Sequence, residues 1–220
     1  MSKFIAFDMD GTIFSSENMI LPAYDRGITN FNKQNQHNKV LLPPLKDLLS
    51  LLGLPIIQIY NKLFPNLSME EKATIRDLIS VELISSIKNK EGTLFSGVSE
   101  TLGYLYKCGY KLLMASNGLK SYLETILSTY NLLELFEPII TLNNTNICDK
   151  GDILLEYQKI HKLDARYTIM VGDRESDMEA AKKLSCKFIA CNYGHGNNGE
   201  IESAKIIVHS FPEILNWIDF

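Results

Sequence analysis

The distribution of hydrophobic residues divides the chain into segments of two kinds. The run Phe4–Phe7 is apolar at every position and predicts a short buried strand. From about residue 93 onward, similar apolar runs alternate with stretches of helical periodicity, whereas residues 17–92 show helical spacing alone. The pattern therefore predicts an α/β unit that is interrupted near its start by an all-helical insert.

Five apolar runs after residue 93 predict further strands. Several of them are apolar at successive positions rather than at alternate ones, which is typical of strands covered on both faces in a parallel sheet. The runs are Tyr110–Ala115, Pro138–Leu142, Tyr167–Val171, Lys187–Cys191 and Lys205–Val208.

Helical patterns separate these runs. One helix is expected to begin at Ser99, as its N-cap, and to end at Gly109. The others cover Leu119–Tyr130, Asp152–His161, Asp177–Leu184 and Phe211–Trp217. The alternation predicts a doubly wound α/β fold with a mostly parallel, Rossmann-like sheet.

The insert contains three apolar stripes of helical spacing. One follows Pro43-Pro44, a second lies over residues 56–64, and a third begins at the capping box Ser68–Glu71. The polar, Asn-rich stretch Asn30–Asn38 is expected to be a loop. We therefore assign residues 1–16 and 93–220 to an α/β core and residues 17–92 to a helical insert.

Composition and charge narrow the classes of function. The 220 residues are 45% hydrophobic, enough for one core and a smaller unit, and the net charge of −4 argues against nucleic acid as a partner. No apolar run reaches the roughly 18 residues of a membrane span, and the N-terminus does not resemble a signal peptide. The four cysteines lack CxxC spacing and are expected to be free thiols, so we expect a cytoplasmic protein.

The first strand is followed by two carboxylates, Asp8 and Asp10, and then by Gly11. In an extended chain, residues two positions apart point to the same side, so both carboxylates are expected to face one point. Two negative charges this close repel each other unless a proton or a cation lies between them. The pair therefore predicts a divalent-cation site with a carboxylate available for chemistry.

Small or acidic residues also follow two later strands. Ser116 and Asn117 follow one strand, and Asp173 and Asp177 follow another, while Lys150 precedes a predicted helix. Ligands of open α/β sheets bind beyond the carboxyl ends of the strands. These residues are therefore expected to share one site with Asp8 and Asp10.

Together, these motifs resemble the haloacid dehalogenase superfamily on its phosphatase branch. That family has a DxDGT loop, then a Ser or Thr after a strand, then a Lys, then GDxxxD, and its helical cap lies where the insert lies here. The matching residues are Asp8–Thr12, Ser116, Lys150 and Gly172–Asp177, and the stretches Phe95–Val98 and Tyr193–Gly196 resemble the phosphoglycolate-phosphatase-like subgroup.

The resemblance implies a Mg²⁺-dependent phosphatase that acts on a small phosphate monoester through an aspartyl-phosphate. It implies that Asp8 is the nucleophile and a metal ligand, and that Asp10 is the general acid and base and a ligand through its carbonyl. Asp173 is implied as the third ligand, with Asp177 in support. Ser116, Asn117 and Lys150 are implied to bind the phosphoryl group.

Two departures from the family pattern weaken the subgroup assignment, namely Ser15 in place of an acid and Gly151 in place of a proline. A phosphomutase and a non-catalytic binding module remain as alternatives. A dehalogenase is disfavoured by Asp10 and Asp173, because that reaction needs no metal. Phosphoglycolate, pyrophosphate, a nucleoside monophosphate and a sugar phosphate all remain open as substrates, and the protein is expected to be a monomer or homodimer.

Three residues near these motifs are assigned no role in the chemistry. Arg174 and Glu175 are expected to be exposed or to pair with each other. His195 lies in a Gly-rich loop, and a histidine in such a position is more often structural than functional.

Overall fold

The computed structural model describes residues 3–142, 146–196 and 199–218 of the chain. Over these residues the strands are β1 (Phe4–Phe7), β2 (Phe14–Ser15), β3 (Thr93–Leu94), β4 (Lys111–Met114), β5 (Thr168–Gly172), β6 (Lys187–Cys191) and β7 (Ile207–Val208). Five of them form one sheet in the order β4-β1-β5-β6-β7, and every pairing in it is parallel.

The helices fall into two groups along the chain. The insert contributes α1 (Glu17–Gln34), α2 (Leu45–Leu51), α3 (Ile56–Leu63) and α4 (Met69–Lys88). The α/β part contributes α5 (Val98–Lys107), α6 (Lys120–Thr129), α7 (Lys150–His161) and α8 (Glu175–Leu184), with 3-10 turns at Leu133–Leu135, Ala165–Tyr167 and Phe211–Trp217. The expected α/β fold with a parallel sheet is confirmed.

Side chains of the central strands alternate between two hydrophobic clusters. In β1, Ile5 and Phe7 belong to one cluster, and Phe4 and Ala6 belong to the other. Successive residues of a strand point to opposite faces, so continuous apolar character means that both faces are covered. Helices therefore lie on each side of the sheet, as the sequence pattern indicates.

The strand order places three strand ends side by side. Strand β1 lies between β4 and β5, and Phe7 pairs with Met114 on one side and with Val171 on the other. Because all three strands run in the same direction, the residues that follow Phe7, Met114 and Val171 emerge at the same edge.

The insert is connected to the sheet through a small antiparallel ribbon. Strands β2 and β3 pair Phe14 with Leu94 and Ser15 with Thr93, so the segments entering and leaving the insert lie together. The four insert helices have their own hydrophobic cluster, in which α1 packs along α4. The capping box at Ser68 is confirmed, since the Glu71 N–H donates to Ser68 Oγ at 3.2 Å.

Three local predictions were wrong. Pro138–Leu142 forms no strand; instead the Ile140 N–H donates to the Tyr157 hydroxyl at 3.2 Å, and that hydroxyl donates to the Pro138 carbonyl at 3.0 Å. A tyrosine side chain thus satisfies backbone groups that a neighbouring strand would otherwise bind.

Helix α5 begins at Val98 rather than after Ser99, because Gly97 takes the left-handed conformation (φ +78°) and turns the chain into the helix earlier. Helix α1 continues through Asn30 to Gln34, so the Asn-rich segment is a loop only beyond that point. The four cysteines are free, and Cys108 and Cys148 are exposed.

None of the helices within residues 3–142, 146–196 and 199–218 is long and apolar enough to cross a bilayer.

The contact between α1 and α4 depends on a glycine. A Cβ on Gly27 would lie 2.6 Å from Ile79 Cγ1 and 2.8 Å from Ile79 Cα, which is backbone that cannot move aside. We predict that Gly27→Ala lowers the free energy of unfolding by about 1–3 kcal/mol, because it overpacks this contact. Urea unfolding followed by circular dichroism measures the change.

Gly103, in α5, provides the matched control. A Cβ there would meet no atom within 4 Å. Gly103→Ala should raise stability by about 0.5–1 kcal/mol through helix propensity. Equal stability of Gly27→Ala and the unchanged protein would contradict the close packing of these two helices.

Candidate active site

Three strand ends deliver the site's principal groups to one edge of the sheet. Asp8 follows β1, Ser116 lies two residues beyond β4, and Asp173 follows β5. The Asp8 N–H donates to the Val171 carbonyl at 3.0 Å, which continues the ladder by one residue. One carboxylate oxygen each from Asp8, Asp173 and Asp177 lies within 4.8 Å of the others, and all three residues are buried.

A loop after β6 fixes the position of Asp173. Its Oδ2 accepts the N–H groups of His195 at 2.7 Å and Gly196 at 2.9 Å, and Thr12 Oγ1 lies 3.5 Å from its Oδ1. The loop approaches closely because Gly194 has no side chain, since a Cβ there would collide with the Gly11 carbonyl. His195 thus contributes its backbone, and the loop's glycines were the sequence signal for this contact.

Lys150 joins two of the carboxylates from the first turn of α7. Its Nζ lies 2.9 Å from Asp8 Oδ2 and 2.7 Å from Asp177 Oδ1, and its side chain is only 1% exposed. Burial alone would lower the pKa of this lysine, but the charges of Asp177 and Asp8 outweigh that effect and raise it. Lys150 is therefore a permanent cation in the site.

The cluster retains more negative charge than Lys150 balances. Burial, followed by repulsion from Asp8, raises the pKa values of Asp173 and Asp177 well above the ordinary range, although Lys150 opposes this for both. Among the described residues, Asp8 Oδ1 has no hydrogen-bond partner despite its burial. An unpartnered buried carboxylate oxygen among other carboxylates fits a hard divalent cation such as Mg²⁺, which takes oxygen ligands.

Asp10, in the loop that follows β1, is half-buried and is bonded to a tyrosine. The Tyr122 hydroxyl donates to Asp10 Oδ1 at 2.8 Å. Loss of solvent around Asp10, together with the charge of Asp8, raises its pKa to about 7, although the Tyr122 bond opposes the rise. Sequence reasoning missed Tyr122, because an aromatic residue in the apolar stripe of α6 is indistinguishable from a core residue.

The two remaining predicted phosphate-binding residues lie after β4. Ser116 is buried, and its Oγ accepts the Gly118 N–H at 3.4 Å. Asn117 Nδ2 donates to the Gly53 carbonyl at 2.7 Å, while its Oδ1 is buried without a partner among the described residues. The amide nitrogen of Asn117 thus binds the insert.

The expectation of exposure is confirmed for Glu175 but was wrong for Arg174, which is neither exposed nor paired with Glu175. Its side chain is buried, and its Nη1 and Nη2 donate to the carbonyls of Leu52 at 2.8 Å and Ser50 at 3.1 Å. Its Nε donates to Glu200 at 2.8 Å. The last carbonyls of a helix lack partners within the helix, and Arg174 supplies donors for those at the end of α2.

A cavity extends from Asp8 and Asp10 toward the insert. Ser116, Asn117 and Tyr122 line its end at the sheet. The opposite walls come from α1, α3, α4 and the segment after α2. The carboxylates of Asp8, Asp173 and Asp177 together with Lys150 form what we call the charged floor of the site. Above it lies a pocket that the insert closes.

A family model described as haloacid dehalogenase-like hydrolase matches residues 5–191. A phosphoglycolate phosphatase of Vibrio vulnificus strain YJ016 is 26% identical over 226 residues, covering 97% of this chain and 95% of that protein. Pyrophosphatase PpaX of Halalkalibacterium halodurans is 22% identical, covering 96% and 94%. The crystal structure of a predicted phosphoglycolate phosphatase from Haemophilus somnus has the same fold (TM-score 0.84, 19% identity, coverage 99% and 98%).

The buried position of Lys150 leads to a stability prediction. We expect Lys150→Met to lower the free energy of unfolding by about 3–5 kcal/mol in chelator, because it leaves buried carboxylates without their cation. Chemical unfolding followed by tryptophan fluorescence and circular dichroism measures the loss.

Lys183 is the matched control, because it also contacts two aspartates. It bridges Asp149 at 3.0 Å and Asp152 at 2.8 Å but is 39% exposed. Lys183→Met should change stability little, since solvent screens exposed ion pairs. If both variants lost the same stability, the ion-pair role assigned to Lys150 would be incorrect.

Proposed function

The chain belongs to the haloacid dehalogenase-like hydrolase family, and on that basis we propose that it is a Mg²⁺-dependent phosphatase of a small phosphate monoester. The observation that carries the proposal is the placement of Asp8, buried at a strand end with one oxygen unpartnered and with Asp173 and Lys150 beside it. The likeness to phosphatases over nearly the whole chain supports it.

The ligands proposed for the ion are the carboxylates of Asp8 and Asp173 and the backbone carbonyl of Asp10. When bound, Mg²⁺ offsets the negative charge shared by substrate and carboxylates, which otherwise repel each other. Asp177 supports the site by orienting its neighbours. Its Oδ1 accepts a hydrogen bond from Lys150, and its Oδ2 accepts the Arg174 N–H at 3.0 Å.

Asp8 is the proposed nucleophile. Its carboxylate attacks phosphorus, the P–O bond to the alcohol breaks, and an aspartyl-phosphate forms on Asp8. Lys150 and Ser116 bind the oxygens of the transferring phosphoryl group, with Lys150 supplying the positive charge. Water then attacks phosphorus, which releases inorganic phosphate and restores the carboxylate.

Asp10 is the proposed general acid and base. It donates a proton to the departing alcohol oxygen and later accepts one from the attacking water. Its pKa of about 7 suits both steps near neutral pH. Because Tyr122 occupies Oδ1, the proton is carried by Oδ2.

We also propose that residues 1–16 and 93–220 form the catalytic core and that residues 17–92 form its cap. The separate hydrophobic cluster of α1–α4 supports this division. Asn117 and Arg174 hold the segment Ser50–Gly53 over the site, so that the cap excludes water while the first step proceeds.

Two isosteric substitutions test the roles of the paired aspartates. We expect Asp8→Asn to abolish magnesium-dependent hydrolysis of an aryl phosphate, because the amide is not a nucleophile. Asp10→Asn should lower kcat about 10²- to 10⁴-fold, the usual contribution of a positioned acid.

Asp25→Asn, an exposed position of α1, is the control and should retain full activity. Circular dichroism verifies that each variant is folded. Hydrolysis by folded Asp8→Asn at the unaltered rate would exclude the covalent route.

Metal dependence gives two tests, one of activity and one of stability, and the second needs no substrate. We expect chelator to abolish hydrolysis and magnesium to restore it. Without substrate, magnesium should also stabilise the metal-free protein against unfolding, by about 2.7 kcal/mol when its free concentration is 100 times Kd.

Asp173→Asn should lose most of this stabilisation, whereas Asp25→Asn should keep it. Thermal unfolding with and without magnesium measures both. Full activity in excess chelator would rule out the proposed metal requirement.

A further inference from the structure

The walls of the cavity above Asp8 and Asp10 are largely aliphatic. Six side chains from the insert share this character and line it: Ile20, Leu52, Leu54, Ile56, Ile59 and Leu83. They lie opposite the reacting carboxylates, where the alcohol part of a phosphate ester must extend once its phosphoryl group meets Asp8. The chemistry of these walls therefore decides which alcohols fit.

The polar groups of the walls are mostly engaged or neutral. Burial raises the pKa of Tyr24 to about 12 and that of Tyr60 well above its ordinary value, so both phenols stay uncharged. The Tyr122 hydroxyl is bonded to Asp10. Ser16 and Ser80 add two neutral hydroxyls.

Among the described lining residues, Arg76 carries the only positive charge of the pocket. That charge already has a partner. Its Nε lies 2.8 Å, and its Nη2 2.7 Å, from Asp77 Oδ1 on the same helix. Arg76 is also 37% exposed, so it lies at the rim rather than against the aliphatic walls.

A charged leaving group would be poorly solvated in this cavity. Glycolate and inorganic phosphate, the groups left when phosphoglycolate or pyrophosphate is cleaved, both carry negative charge. Burial of such a charge without a partner is costly, whereas each buried methylene is favourable by about 0.8 kcal/mol. The cavity thus favours an alcohol that brings apolar surface and no charge.

We propose that the substrate is a phosphate monoester of an apolar or aromatic alcohol, and that the insert binds the alcohol through these aliphatic walls. The inference rests on the proposed function for its chemistry. It departs from the charged substrates in the names of the two relatives.

A series of non-hydrolysable phosphonates tests this without turnover. Calorimetric titration of the magnesium-loaded protein with ethyl-, propyl-, butyl- and pentylphosphonate should give a Kd that falls about fourfold per methylene. Propylphosphonate should also bind at least about tenfold more tightly than 3-phosphonopropionate, in which a carboxylate replaces the terminal methyl. A Kd independent of chain length, or tighter binding of the carboxylate, would overturn the proposal.

Two neighbouring residues of α3 supply a matched pair of variants. Ile59 lines the cavity, whereas Ile57 is 62% exposed and does not. Ile59→Ala should reduce the ratio of ethyl- to pentylphosphonate Kd, and Ile57→Ala should leave it unchanged. The ratio within one variant is insensitive to a uniform loss of affinity, and Leu83→Ala repeats the test on α4.

Arg76→Gln distinguishes the charged alternative. It should leave the affinity for propylphosphonate unchanged. If the substitution instead lowered the affinity for 3-phosphonopropionate tenfold, and if this ligand bound most tightly of all to the unchanged protein, the cavity would be a carboxylate site.

Hydrolysis of p-nitrophenyl phosphate, measured on the same protein, reports the proposed function separately. Binding that depends on chain length without any hydrolysis would refute the proposed function and leave only the apolar binding by the cavity walls supported. Hydrolysis together with a flat series would do the reverse.

Discussion

The burial of three carboxylates at one edge of a parallel sheet is the constraint on which the rest of the structure depends. Asp8, Asp173 and Asp177 bring negative charge into a buried region, and Lys150 supplies a positive charge 2.9 Å from Asp8 and 2.7 Å from Asp177. Such a cluster is unfavourable for folding unless its charge is satisfied. Its cost is reasonable where the charges themselves are needed, as they are for the cation binding and the attack on phosphorus that we propose.

The insert and the sheet are joined through the groups that surround this cluster. Arg174 and Asn117 follow strands of the core, yet both donate to carbonyls at the end of α2 and just beyond it. Movement of the insert would therefore break bonds made by residues next to Asp173 and Ser116. Residues that follow the strands of the site thus also hold the segment Ser50–Gly53, which contributes to the aliphatic walls.

The sequence predicted the charged floor more fully than its surroundings. Asp8 and Asp173 could be placed together because each follows an apolar run, and parallel strands deliver such residues to one edge. Tyr122 and Arg174 could not be placed, since their partners Asp10 and Leu52 are distant in sequence and no local pattern links them. Pro138–Leu142 has the composition of a strand, but the Tyr157 hydroxyl takes the place of a neighbour, and periodicity cannot reveal this.

The central claim is that phosphorus becomes bonded to Asp8 during turnover. Rapid acid quenching of the magnesium-loaded protein during hydrolysis of an aryl phosphate, followed by peptide mass spectrometry, tests it most directly. We predict a phosphoryl group on the peptide that contains Asp8, at the Asp8 carboxylate, and its disappearance when substrate is exhausted. Steady turnover with Asp8 unmodified, or with the phosphoryl group on another residue, would contradict the claim.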